Sequence, residues 1–154
     1  MNIGELTEKN YIIKDLKSKT KKEVLAELSG VFSEGDVPVN GEAMVEVLLE
    51  REKLGSTGIG EGVAIPHGKL QGLENLIVSL GISKSGIDFE SLDGNPVHIF
   101  FLLMAPENSA GQHLKALAKI SRMLKDEDFK KALMKADSTD EMYTIVTEKD
   151  KTLL

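Results

Sequence analysis

A glycine-rich segment in the middle of the chain contains the residues whose types and spacing could do chemistry. Six of the fourteen glycines lie within residues 55–72, where the backbone can approach a ligand closely. Such segments can bind phosphate, but a P-loop has four residues between its glycines, followed by Lys-Ser/Thr. Here five residues separate Gly62 from Gly68, and Lys69 precedes a leucine. A dinucleotide fingerprint needs a helix after its glycines, which Pro66 blocks. Both nucleotide motifs are therefore excluded.

The same segment contains one histidine, His67, which follows the short apolar run 63–65 and Pro66. Pro66 keeps Ile65 extended, and Gly68 leaves the approach to the imidazole ring uncrowded. A neutral imidazole, with an ordinary pKa of about 6.5, is a nucleophile near pH 7 and can carry a phosphoryl group. For this residue taken alone, the alternative is an ordinary loop histidine held by hydrogen bonds.

Two further residues favour phosphoryl chemistry. Arg51 is one of only two arginines and ends the predicted helix that leads into the glycine-rich segment. Its planar guanidinium could hold phosphoryl oxygens, or it could be a surface charge at a helix C-terminus. His113 lies in the first turn of a predicted helix, whose positive end favours anions. It could donate a hydrogen bond to phosphate, or simply pack against Leu117 and Ile120.

The remaining histidine, His98, lies within an apolar run and is interpreted as a buried, hydrogen-bonded residue. The three histidines lack a paired spacing such as His-x-x-x-His, so the sequence supports no metal site. No cofactor is predicted.

The composition excludes several other classes of protein. The net charge of −6 argues against a nucleic-acid partner, which would need a clustered basic surface. The chain has no cysteine, which excludes disulfides, a zinc ribbon and a thiol nucleophile. The first residues do not form a signal peptide, and the longest apolar run, 97–105, is too short to span a bilayer. We therefore predict a cytoplasmic protein without direct membrane insertion.

The hydropathy pattern predicts one α/β domain over residues 1–154, with a central mixed β-sheet flanked by helices. Val97–Met104 is apolar at every second position on both faces, apart from His98, which indicates a strand covered on both sides. The predicted strands are 11–13, 63–65, 76–82 and 97–104.

The predicted helices begin at recognisable caps. Thr20 with Glu23, Ser109 with Gln112 and Ser138 with Glu141 have the spacing of capping boxes, and Asn40 can cap a further helix. The predicted helices run from residue 21 to an end at Gly35, from 41 to 53, from 110 to 124, from 126 to 136 and from 138 to 147.

The sequence of residues 52–68, which contains His67, resembles the signature of the enzyme IIA domains of the bacterial phosphoenolpyruvate:sugar phosphotransferase system, of the fructose–mannitol type. That signature is an acidic or amide residue, six positions, an apolar residue and Gly, two positions, then apolar-Ala-apolar-Pro-His-Gly. Glu52, Ile59-Gly60 and the run 63–68 fill it without a departure. The similarity extends over nearly the whole chain, and the sequences of residues 51–60 and 65–70 are most similar to those of the nitrogen-regulatory branch.

The resemblance implies the roles of the site residues. His67 would be phosphorylated, on Nε2, with Arg51 and His113 stabilising the phosphoryl group, and we expect loop residues to form a cradle around it. The predicted cradle residues are Ser56, Thr57, Gly58 and Gly68.

The same resemblance implies the partners. The donor would be a phosphorylated HPr-type protein, and the acceptor of a transport member would be a cysteine of an enzyme IIB domain. A regulatory module whose phosphorylation state selects a target protein uses the same His67, so the site residues leave both roles open. A metal- or small-ligand-binding domain is the third possibility, supported only by the scattered histidines.

Overall fold

Six strands form one mixed sheet in the computed structural model, which describes residues 1–34 and 39–153. The predicted helix end at Gly35 lies outside these residues. The predicted α/β fold with a central mixed sheet is confirmed. The strands are β1 (Ile12–Ile13), β2 (Gly58–Gly60), β3 (Val63–Ala64), β4 (His67–Lys69), β5 (Ile77–Ile87) and β6 (Val97–Ala105).

The sheet has the order β1-β5-β6-β3-β2, and β4 also pairs with β6. The pairs β5–β6 and β2–β3 are antiparallel, whereas β1–β5, β3–β6 and β4–β6 are parallel. Strands β3 and β4 therefore lie one after the other along the same edge of β6. Ile65 and Pro66 separate them, since a proline has no N–H to donate to the ladder.

Strand β6 is the centre of the molecule, as its two apolar faces predicted. Ile99, Phe101 and Leu103 belong to one hydrophobic core, with residues of the three C-terminal helices. The alternate residues Phe100 and Leu102 belong to a second core on the other face. Successive side chains of a strand point to opposite faces, so this one strand contributes to both cores.

Two of the predicted helix starts form as expected. Thr20 Oγ1 accepts the N–H of Glu23 at 3.2 Å, and Glu23 Oε1 accepts the N–H of Thr20 at 3.0 Å, which completes the capping box. Asn40 caps the next helix by accepting the N–H of Ala43. The helices are α1 (Ile3–Leu6), α2 (Lys21–Ser33), α3 (Gly41–Lys53), α4 (Ala110–Met123), α5 (Glu127–Lys135) and α6 (Thr139–Lys151), with a 3₁₀ turn at Lys9–Tyr11.

The Ser109 capping box was wrong. Ser109 Oγ donates to the carbonyl of Pro106 at 2.7 Å, and α4 begins without a side-chain cap. The third box forms in part: Ser138 Oγ accepts the N–H of Glu141 at 3.0 Å as predicted, but Glu141 accepts the N–H of Asp137 instead of that of Ser138. Strand β5 and helix α6 also extend beyond their predicted ends, to Ile87 and Lys151.

Candidate active site

His67 is the first residue of β4 and lies opposite Leu103 of β6. Its Nδ1 is 2.7 Å from the carbonyl oxygen of Ile65. A carbonyl oxygen can only accept, so Nδ1 carries the proton and the neutral ring has its lone pair on Nε2. The backbone therefore selects the tautomer that leaves Nε2 able to form a bond through its lone pair.

The surroundings of His67 favour its neutral form. Burial lowers the pKa of the imidazole below its ordinary value of about 6.5, and the hydrogen bond to Ile65 opposes this in part. The positive charge of Arg51 lowers the pKa further, while the negative charge of Glu52 raises it. The net direction of the pKa is downward, so the ring is neutral at pH 7.

His113, in the first turn of α4, lies against His67. The two ring centroids are 5.5 Å apart and the ring planes meet at 76°. His113 is buried, and within the part of the chain that the structure describes its Nε2 has no hydrogen-bond partner. Burial, followed by the charges of His67 and Lys69, lowers the pKa of His113. An unpaired polar atom in this position costs about 1–3 kcal/mol, which a bound hydrogen-bonding group would recover.

Arg51 is in the last turn of α3 and reaches the loop that follows it. Its Nη1 donates to the carbonyl of Gly55 at 2.9 Å. A guanidinium has five N–H groups, so this bond leaves most of them for another acceptor. Because the charge of Arg51 acts on the pKa of His67, the structure brings together the arginine and both histidines that the sequence selected.

The loop before β2 is held by its own hydrogen bonds. The hydroxyl of Ser56 donates to the carbonyl of Phe89 at 2.8 Å and accepts the N–H of Gly58 at 3.0 Å. Both the N–H and the hydroxyl of Thr57 donate to the buried carboxylate of Glu52. These bonds fix the loop beside Arg51. A phosphoryl cradle formed by Ser56, Thr57 and Gly58 stays a prediction.

Gly68 makes room for helix α3. A Cβ atom at this position would lie 2.6 Å from Cγ1 of Val47, far inside van der Waals contact. Val47 is one helical turn before Arg51, so the two side chains lie on the same face of α3. The missing side chain therefore allows the helix that carries Arg51 to approach the strand that carries His67. The assignment of Gly68 to the phosphoryl cradle stays a prediction.

Lys69 is a neighbour of the site that the sequence analysis did not select. It lies two residues after His67 on β4, and alternate residues of a strand share a face. Its positive charge contributes to the lowered pKa of His113. The signal that could have found it is this alternation, which was missed because residues 67–69 were interpreted as part of a loop.

His98 does not belong to this group. It precedes Leu103 by five residues on β6, which corresponds to about 16 Å along a strand. Its Nδ1 is 2.9 Å from the carbonyl oxygen of Ser83, and the ring is partly buried. In residues 1–34 and 39–153, no three histidine or acidic side chains are grouped in a way that could hold a metal ion.

Comparison with known families identifies the family to which the chain belongs. Residues 5–149 match the model of the family described as phosphoenolpyruvate-dependent sugar phosphotransferase system, EIIA 2. The chain belongs to this family. The resemblance inferred from the signature around His67 is therefore confirmed, and the protein is an EIIA phosphocarrier, a phosphotransferase component of that system.

Relatives of this EIIA chain come from two branches. It is 44% identical to a nitrogen regulatory protein of Bradyrhizobium diazoefficiens, over 95% of each chain. It is 40% identical to the fructose-specific EIIABC component of Bacillus subtilis over 98% of its own length, but spans only 24% of that larger protein. The crystal structure of the nitrogen regulatory protein IIA-Ntr from Neisseria meningitidis has a TM-score of 0.87 at 34% identity, covering 94% of this chain and 99% of that one.

The helices of this EIIA domain are short. Among the residues that the structure describes, none of them has both the length and the apolar character needed to cross a bilayer.

Proposed function

We propose that this EIIA chain accepts a phosphoryl group on Nε2 of His67 from a phosphohistidine donor of the HPr type. The main support for this proposal is the arrangement of the two imidazole rings, those of His67 and His113. Nε2 of His67 has its lone pair free because Nδ1 donates to Ile65, and next to it the buried Nε2 of His113 has no partner among residues 1–34 and 39–153. A tetrahedral group bound to His67 would supply the acceptor that His113 lacks.

The transfer step needs little chemistry from the protein. The lone pair of Nε2 of His67 forms the new P–N bond while the P–N bond of the donor breaks, and its electron pair returns to the donor imidazole. The phosphorylated ring retains the proton on Nδ1 and becomes cationic, and the carbonyl of Ile65 stabilises it by accepting that proton's hydrogen bond. The transition state spreads charge over three equatorial oxygens, so positioning and positive charge provide the catalysis.

Arg51 and His113 would share the stabilisation of those oxygens. Arg51 provides a permanent positive charge, and its bond to Gly55, the one its guanidinium makes to the described residues, leaves further N–H groups for phosphoryl oxygens. His113, neutral in this environment, can donate one N–H from Nε2 to an equatorial oxygen. Neither role requires a metal ion.

Of the two roles that the site residues leave open, we favour the regulatory one. The nitrogen regulatory protein of Bradyrhizobium matches this chain over 95% of its own length, at 44% identity. On this reading the phosphorylation state of His67 decides which target protein the chain binds, in the cytoplasm.

Sugar transport is the second candidate, and the Bacillus relative supports it. That fructose-specific protein combines EIIA with B and C components and is 40% identical to this chain. In this case the phosphoryl group would pass from His67 to a cysteine of an enzyme IIB domain.

The experiment is incubation with a phosphorylated HPr-type donor, followed by intact-mass and peptide analysis. We expect one acid-labile, alkali-stable phosphoryl group on His67. The variant His98→Ala is the matched control and should label fully, because His98 lies about 16 Å along β6 from the site. Full labelling of His67→Ala would overturn the assignment.

Adding isolated IIB domains to the labelled protein separates the two roles. Fast loss of the label to a IIB cysteine supports transport. Retention of the label, with target proteins bound by only one of the two phosphorylation states, supports regulation.

A further inference from the structure

Lys21, at the start of α2, forms an ion pair with a buried carboxylate near the site. Its Nζ is 3.0 Å from Oε1 of Glu52, and the two side chains are 17% and 4% exposed. The same Nζ lies 4.9 Å from the centre of the Phe89 ring, where a cation–π contact helps to hold it. Glu90 also contacts Lys21, at 3.8 Å, but its side chain is exposed to solvent. Glu52 is therefore the buried partner of Lys21.

The carboxylate of Glu52 uses both oxygens to hold one residue of the loop. Oε1 accepts the N–H of Thr57 at 3.1 Å, and Oε2 accepts its hydroxyl. A buried carboxylate is stable only where a counter-charge and hydrogen-bond donors surround it. Lys21 supplies the charge and Thr57 supplies the donors, so neither alone completes the environment of Glu52.

Thr57 continues the connection to the imidazole. Its carbonyl accepts the N–H of Ile65 at 3.0 Å. The carbonyl of Ile65 in turn accepts Nδ1–H of His67 at 2.7 Å. An unbroken series of polar contacts therefore runs from the ammonium of Lys21 through Glu52, Thr57 and Ile65 to the ring of His67.

We propose that Lys21 is a positioning residue for His67, which fixes the direction and tautomer of the imidazole through Glu52, Thr57 and Ile65. The proposal rests on the proposed function, in which Nε2 of His67 is the nucleophile. Lys21 touches neither the ring nor the phosphoryl group, so its effect is on geometry.

Removing the ammonium has a defined consequence. Glu52 would be left without its counter-charge, which favours turning its carboxylate toward water. That movement weakens its hold on Thr57 and frees the peptide that positions Ile65. The charge of Glu52 also acts on His67 by raising the pKa of the ring, so the site would lose an electrostatic partner as well.

The test compares Lys21→Met with two other variants. Lys21→Arg keeps a positive charge of similar reach and should restore the wild-type site. Lys149→Met is the matched control, because Lys149 is 19% exposed and forms an ion pair of 2.6 Å with Asp126, far along the chain from the residues of this network. Both Met variants lose one partly buried ion pair, so a general loss of stability affects them alike.

The decisive readout is the pair of ring ¹⁵N shifts of His67 in the unphosphorylated protein. Wild type and Lys149→Met should show Nδ1 protonated, and Lys21→Met should show a mixture of tautomers. Single-turnover transfer from saturating phosphorylated HPr-type donor should be about 10- to 100-fold slower in Lys21→Met, the scale of a misplaced reacting group. The donor concentration for half-maximal rate should change little, and Lys21→Arg should recover the rate.

Wild-type ring shifts together with a wild-type rate in Lys21→Met would overturn the proposal, as would equal slowing in Lys149→Met. If Lys21→Met is unfolded, Thr57→Val breaks the same series at the hydroxyl of Thr57, and the same tautomer mixture is expected. Absence of any phosphoryl uptake by wild type would overturn the proposed function instead. The ring shifts would still decide the role of Lys21, because they need no phosphoryl group.

Discussion

The imidazole of His113 meets that of His67 edge to face, with ring centroids 5.5 Å apart. Burial is the largest cause of the lowered pKa in both rings, and the charge of His67 is the next cause in His113. Protonating either ring therefore disfavours protonation of the other. The arrangement keeps both rings neutral at pH 7, so that one can attack phosphorus and the other can donate a hydrogen bond.

Replacing Arg51 with lysine tests the role of the guanidinium. Arg51→Lys should slow phosphoryl transfer to His67 by about ten- to a thousand-fold, the scale for one lost charge-stabilising donor. Lysine keeps the charge but lacks the planar fork. Rapid-quench transfer measurements should be paired with circular dichroism. The other arginine provides the control, since Arg122→Lys on the last turn of α4 should transfer at the wild-type rate. A folded Arg51→Lys protein with wild-type transfer would reduce Arg51 to a surface charge.

The substitution His113→Gln separates hydrogen bonding from packing. If His113 donates to the phosphoryl group, the variant should accept phosphate on His67 but transfer it poorly in at least one direction. Glutamine keeps a donor but loses the imidazole geometry. Forward and reverse transfer should be measured on the same sample as thermal unfolding. A stability loss on the order of 1 kcal/mol with unchanged transfer in both directions would leave His113 only a packing role.

The lowered pKa of His67 predicts the pH dependence of transfer. Only the neutral ring attacks, so the single-turnover rate should be constant from about pH 7 to 8 and decline at lower pH, with its half-point below about 6.5. An NMR titration of the His67 ring in the same protein separates this group from the donor. A half-point at or above pH 7 would contradict the buried, neutral nucleophile.

The stability of the folded protein should depend on the protonation of the same two rings, those of His67 and His113. The pKa of each is lower in the folded state, so the unfolded chain binds protons more readily. Their contribution is therefore present above about pH 6.5 and is lost as the pH falls through the folded pKa. The melting temperature should decrease between about pH 7.5 and 5.5, and by less in His113→Gln. Equal decreases in the two proteins would show that other groups dominate.

Gly68→Ala tests the contact that brings α3 to β4. The new Cβ would be 2.6 Å from Cγ1 of Val47, so we expect a loss of about 1–3 kcal/mol in unfolding free energy. Transfer should also slow, because α3 carries Arg51. The double variant Val47→Ala, Gly68→Ala removes the clash and should recover part of both losses. Additive effects in the double variant would show that Val47 and Gly68 are not coupled.

Local patterns predicted much of this fold, for physical reasons that individual residues show. The caps of Thr20 and Asn40 depend only on residues three positions away, and they form as expected. Ser109 has the same kind of spacing, but its hydroxyl turns back to Pro106, a nearby acceptor that competes with the helix. A local pattern is reliable only where no other partner is within reach.

Strand β4 and the contacts between the site residues could not be predicted from the sequence, because both depend on tertiary structure. His67 is a strand residue only through lateral pairing with Leu103. The position of His113 in the first turn of a predicted helix made it a candidate, but its contact with His67 requires β6 and α4 to fold back beside β4. The pairing of Lys21 with Glu52 joins the starting end of α2 to the last turn of α3, and no spacing rule predicts such a contact.

The central position of strand β6 in the sheet affects how the site is lost when the protein unfolds. It lies between β5 on one side and β3 and β4 on the other, and its residues are buried except for His98. Its amides should exchange with solvent deuterium only through global unfolding. His67 is held by pairing with this strand, and His113 follows it in the chain. We therefore expect the two histidines to separate in the same cooperative event that unfolds the molecule, so that phosphoryl acceptance should follow the folded population.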